Sequence, residues 1–133
     1  MVITLSADTT RRRIIVAVAD GARERHLQAA IRTALADHPE WARWDWIIDD
    51  DGRLEDLTVE GLQAAAEAFR AAGSEGADAL TAVVTNDRFF GEMAHLLDLS
   101  FSGRRHLAAP SLQAALALLD RLRGASDSPA ATA

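Results

Sequence analysis

Apolar and polar residues alternate from Val2 to Ser6, the pattern of an edge strand with one buried face. Ala7-Asp8-Thr9-Thr10 predicts a turn. Ile14 to Ala19 (IIVAVA) is apolar at every position, as expected of a central strand covered on both sides. The two segments read as a hairpin. After the break at Asp20-Gly21, Leu27, Ala30, Ile31, Ala34 and Leu35 fall at helical spacing, and His38-Pro39 ends that helix. Three tryptophans, Trp41, Trp44 and Trp46, crowd the next segment. Asp45-Trp46-Ile47-Ile48-Asp49 predicts a third strand, which runs into Asp50-Asp51-Gly52.

Thr58 is an N-cap residue by type, and Glu60 complements the dipole of the helix that follows. Leu62, Ala65, Ala66 and Phe69 form that helix's inner stripe, with Gln63, Glu67 and Arg70 outside. Gly73-Ser74-Glu75-Gly76 ends it. Leu80 to Thr85 (LTAVVT) is a second strand without a polar face. Asn86 or Asp87 then caps a third helix, with Phe89, Met93, Leu96 and Leu97 inward. Arg104 to Ala109 predicts a short strand. Ser111 caps a last helix with Leu112, Ala115, Leu116, Leu119 and Leu122 inward. From Gly124 the small polar run GASDSPAATA predicts a frayed tail. The order is β-β-α-β-α-β-α-β-α. It implies one α/β domain over residues 1–123, a flexible tail over 124–133, and a mixed, mostly parallel sheet of about five strands with four helices.

Composition narrows the function classes. The chain has 133 residues and a formal charge of −6, which suits one domain and disfavours nonspecific binding of nucleic acid. All basic side chains are arginine, and the only basic clusters are Arg11-Arg12-Arg13 and Arg104-Arg105, without interleaved aromatics. There is no cysteine, hence no disulfide or thiolate-metal chemistry. No stretch approaches the roughly 20 apolar residues of a membrane span. The opening MVITLSADTT lacks the pattern of a signal peptide, so a cytoplasmic location is expected.

This layout resembles the anti-sigma-factor-antagonist (STAS) fold, and more closely its SpoIIAA-like branch, which is itself similar to the lipid-binding CRAL-TRIO fold. The resemblance is carried by the opening hairpin VITLSADTTRRRIIVAVADG and by DWIIDDDGRLEDLT leading into the second helix. It continues through LTAVVTND followed by RFFGEMAHLLD, and through RRHLAAP running into SLQAALALLDRL. It covers nearly the whole chain. In STAS proteins a serine or threonine capping the second helix is phosphorylated by a partner kinase. Here Asp56-Leu57-Thr58-Val59-Glu60-Gly61 stands in that place, and Thr58 is the switch position that the resemblance implies. A leucine separates the aspartate from the hydroxyl, and Glu60 would repel a phosphate that the helix N-terminus attracts.

The remaining chemistry-bearing residues have structural explanations. Asp49, Asp50 and Asp51, with Glu55 and Asp56, can supply oxygen ligands to a hard cation. The calcium-loop pattern nevertheless fails, because Arg53 and Leu54 stand at its fifth and sixth positions. His26, His38, His95 and His106 show no metal-ligand pairing. Glu92 and His95 make one half of a carboxylate-bridged site without the other half. Trp41, Trp44, Trp46, Phe89, Phe90 and Phe101 either line a pocket or seal the ends of a core. No nucleophile elbow, phosphate loop or dinucleotide motif occurs.

The expected function is therefore a non-enzymatic, cytoplasmic regulatory or protein-binding module without a cofactor. It would bind a kinase-like or sigma-regulatory protein through Asp56, Thr58, Glu60 and Gly61. The alternative is a small-molecule or lipid carrier whose third helix presents Phe89, Phe90, Met93 and Leu97. A homodimer suits either reading.

Overall fold

The computed structural model describes residues 2–50, 54, 56, 58–86, 94, 96–99 and 103–132. Five strands, β1 (Ile3–Asp8), β2 (Arg13–Val18), β3 (Asp45–Asp49), β4 (Ala79–Val84) and β5 (Arg104–Ala109), form one sheet in the order β1-β2-β3-β4-β5. The β1–β2 hairpin is antiparallel, and every later pairing is parallel. Helix α1 (Glu24–Asp37) and the 3-10 helix Pro39–Arg43 link β2 to β3, and α2 (Val59–Ala71) links β3 to β4. Residues 94 and 96–99 are helical and belong to α3, before β5. Helix α4 (Leu112–Thr132) follows β5 and continues as backbone helix past Gly124, where the sequence predicts a tail. The α/β architecture matches expectation. Strand limits move by one or two residues, the ordinary scatter of element ends.

The strand order never reverses. Right-handed crossovers taken always in one direction place their helices on one face of the sheet. On that face Ile14, Val16, Trp46 and Ile3 pack with Leu27, Ile31 and Leu35 of α1, Ala66 and Phe69 of α2, and Leu97 of α3. Among the described residues, the helix on the opposite face is α4. Its Ala115 and Leu119 pack on Ile47, Leu80, Ala82, Val84 and Ala109, so α4 spans β3, β4 and β5. β4 is accordingly covered on both sides. β2 is not: Ile15 is half-buried and Ala17 exposed. Its apolar sequence had suggested full cover. Across the hairpin, Thr4 and Ser6 of β1 are exposed on this same uncovered face, which accounts for their polarity.

The tryptophans close the amino-terminal end of the sheet. Trp46 is fully buried, donates Nε1–H to Trp41 O at 2.8 Å and meets the Phe69 ring edge-on at 5.0 Å. His38 stacks on Trp41 at 4.1 Å. Arg104, only 3% exposed, lies 4.5 Å over Phe69. It donates to Leu80 O, Thr81 Oγ1, Ala42 O and Trp44 O. Burial pulls its pKa down to about 9, against the favourable charge of Asp45. The guanidinium therefore stays charged at neutral pH, tying β5, β4 and the 3-10 helix together. Buried Asp45 takes a bidentate pair from Arg123 of α4 and accepts the Leu80 N–H at 3.0 Å. Arg13 reaches Asp120 of α4 at 2.9 Å. Ion pairs and hydrogen bonds thus bolt this end of the sheet to α4.

Candidate functional site

The carboxyl-terminal end of the sheet is arranged differently. Helices α1 and α2 both begin there, and they cap each other. Glu24, the first residue of α1, sends its carboxylate to α2, where Oε1 accepts the Thr58 N–H at 2.7 Å. Thr58 Oγ1–H also donates to this carboxylate, 3.0 Å from either oxygen. In return Asp56 Oδ1 accepts the Glu24 N–H at 2.8 Å. Thr58 is the N-cap of α2, and its hydroxyl oxygen accepts the Gly61 N–H at 3.0 Å. These contacts place negative oxygens on amide groups that the helix itself cannot pair. At α1 the residue in the N-cap position, Arg23, supplies no side-chain cap. His26 Nδ1 accepts the Arg23 N–H at 2.9 Å instead.

Gly61 makes this approach possible. It is buried, and a Cβ built there would lie 1.6 Å from Glu24 Oε1 and 2.8 Å from Gln28 Nε2. The Glu24 carboxylate occupies the space that a side chain at this position would need.

Of the sequence-predicted residues, Asp56, Thr58 and Gly61 are therefore brought together, and Glu60 stands exposed in the first turn of α2. The residue that sequence reasoning missed is Glu24, which joins them. Its only signal was an acid at the start of a predicted helix. Arg23, Glu24, Arg25 and Asp56 line a polar cleft of about 430 Å³ beside the clamp. Asp50, nearly buried, turns inward and accepts the Leu54 N–H at 2.8 Å, a loop-shaping role. Asp51 and Glu55 lie outside the described residues. Among the described residues no cluster of three His, Asp or Glu side chains can hold a metal ion.

The predicted apolar face of α3 divides. Phe89, Phe90 and Met93 lie outside the described residues, as do Asp87, Glu92, His95 and Phe101. Leu97 is 6% exposed and packs into the core. Leu96, predicted inward, is 65% exposed, and Leu99 is 83% exposed. One turn of helix can bury only one flank, and Leu97 with Asp98 takes the inner one. Asp98 Oδ1 accepts the His106 backbone N–H at 2.7 Å and faces His106 Nδ1 at 3.1 Å. Burial holds the His106 pKa below the usual histidine value, with Asp98 opposing that shift.

No helix among the described residues is long and apolar enough to cross a membrane. Compared with family models, curated proteins and solved structures, the chain matches none.

Proposed function

We propose that this chain is a non-enzymatic regulatory module that acts in the cytoplasm by binding another protein at the start of α2. The observation that carries the reading is the clamp between Glu24 and Thr58. Asp56, Thr58 and Glu60 are exposed, and Asp56 and Thr58 are held by bonds from α1. A polar surface fixed before binding loses less conformational freedom on association. Arg23 and Arg25 flank it, so the patch carries both signs of charge. The resemblance to anti-sigma-factor antagonists points to the same surface and to a kinase-like or sigma-regulatory partner.

Phosphorylation of Thr58 would act on the clamp directly. The phosphoryl group replaces the proton that Thr58 shares with Glu24, and sets close to two negative charges against that carboxylate. Phosphorylation would open the clamp and change the docking surface.

The test replaces Glu60 with a photo-crosslinking residue in the native host, with the same replacement at exposed Arg121 on α4 as the control. A discrete adduct from position 60, lost with Asp56→Arg and absent from position 121, is expected. Adducts that do not differ between the two positions would overturn the proposal.

A carrier of lipid or another apolar small molecule is the second reading, and exposed Leu96 and Leu99 favour it. An apolar ligand retained in native mass spectrometry, and lost with Leu96→Ser/Leu99→Ser, would establish it.

A further inference from the structure

The two edges of the sheet are treated differently. In β5 the residues bonded to β4 include Gly103 and Ala109, whose carbonyls accept from Ala79 and Thr85. Arg104, His106 and Ala108 therefore direct their backbone groups away from the sheet. Asp98 of α3 occupies the outward N–H of His106 at 2.7 Å. An acceptor on the edge blocks a further strand there.

Among the described residues, β1 has no such guard. Ala19 N–H donates to Val2 O at 2.8 Å, which fixes the alternation: Thr4, Ser6 and Asp8 exchange bonds with Ala17, Ile15 and Arg13. The bond from Asp45 N–H to Arg12 O agrees, since it turns the even-numbered residues of β2 toward β3. Ile3, Leu5 and Ala7 therefore point their N–H and C=O groups outward. From residue 2 to residue 7 this edge carries no charge and no proline. On the face turned away from α1 and α2, α4 reaches Arg13 and Ile15 of β2, while Thr4 and Ser6 of β1 and Ala17 of β2 are exposed.

We infer that β1 pairs with β1 of a second copy of this chain, antiparallel about Leu5, to form a continuous two-fold sheet. The sequence is self-complementary in that register. Leu5 opposes Leu5 of the copy, and Ile3 opposes Ala7, on the face that carries the core. Thr4 opposes Ser6 on the solvent face, a favourable cross-strand pair. Asp8 falls opposite Val2, so no like charges meet. Three outward-facing pairs then exchange about six backbone hydrogen bonds.

The flanking helix agrees. Helix α1 turns Glu24, Arg32 and Leu35 toward α2. At helical spacing its other flank carries His26, Ala30, Thr33 and Asp37, of which Ala30 and Thr33 are small and uncharged. α1 runs parallel to β1, so the two copies of α1 lie antiparallel. The Arg23 end of one then faces the Asp37 end of the other, a pairing of opposite charges that a second copy supplies.

The test is sedimentation of the full chain over a dilution series, with two sets of variants. Ala7→Pro removes an outward N–H and no bond to β2. Thr4→Lys/Ser6→Lys sets like charges opposite each other on an exposed face and leaves the protomer core untouched. The parent chain is expected to be dimeric, Ala7→Pro to be monomeric, and the lysine pair to be monomeric with an unchanged circular dichroism spectrum. Mixing the lysine pair with Thr4→Glu/Ser6→Glu is expected to restore a heterodimer by native mass spectrometry. A monomeric parent, or a dimer indifferent to the charge pairs, would overturn the inference.

Discussion

Gly61→Ala offers a direct measure of the clamp, because the sign of its effect depends on a residue in another helix. In the parent chain the new methyl group would stand 1.6 Å from Glu24 Oε1 and 2.1 Å from Glu24 Cδ, so the carboxylate must swing away. It then gives up the Thr58 N–H and the Thr58 hydroxyl. Charge-assisted bonds contribute about 1.5–3 kcal/mol when shielded, but these are open to water on one side, and about 1–2 kcal/mol for the pair is reasonable. Against this, alanine is favoured over glycine within a helix by about 0.5–1 kcal/mol. The net expectation is a loss of about 0.5–1 kcal/mol. With Glu24→Ala already present, that obstacle is gone, and only the movable end of Gln28 lies near the new methyl. Gly61→Ala should then stabilise by about 0.5–1 kcal/mol. Urea denaturation of the four chains gives the coupling energy, expected at about 1–2 kcal/mol. An effect of Gly61→Ala with the same sign and size in both backgrounds would refute the clamp.

Three further outcomes are expected. Thr58→Ser should be tolerated, Thr58→Val should cost about 1 kcal/mol through the lost cap, and Thr58→Glu should cost more because it opposes Glu24, all read by urea midpoint. Arg104→Met should lose about 3 kcal/mol or more in thermal unfolding, since the carbonyls of Ala42, Trp44 and Leu80 would lose their buried donor. Arg104→Lys should not rescue it, because one ammonium group lacks the fork that spans four acceptors. The third outcome concerns pH. His106 titrates lower folded than unfolded, so its contribution is complete above its unfolded pKa of about 6.5 and is lost as pH falls through the folded value. His106→Gln should flatten that part of the stability curve, and an unchanged slope would exclude the assignment.

The architecture was legible because hydrophobic period and turn chemistry agreed from β1 through α4. The clamp was half legible. Thr58 announced itself by residue type, since a threonine before a helical stripe is a cap whatever surrounds it. Glu24 and Asp56 did not, because each satisfies the other's helix across a separation of 32 residues. No local pattern records a cap supplied from a distant segment. Arg104 was hidden for a similar reason. In the sequence it is half of a basic pair and reads as a solvated strand end. In the fold Arg105 is exposed, while Arg104 is surrounded by three carbonyls from two other segments. The α3 leucines show the limit of the helical wheel: Leu96 and Leu97 are adjacent and cannot share a face, and only packing decided between them.

The unbroken strand order links these features. α1, α2 and α3 crowd one face, and among the described residues α4 covers the other, spanning three strands. Its anchors, Asp120 and Arg123, meet Arg13 and Asp45 at the amino-terminal end of the sheet. That end is consumed by structure. The opposite end keeps Asp56, Thr58 and Glu60 exposed, and residues 2–7 along the β1 edge carry no charge. The two proposed recognition surfaces, at the paired helix starts and along β1, both lie away from the end of the sheet that α4 anchors.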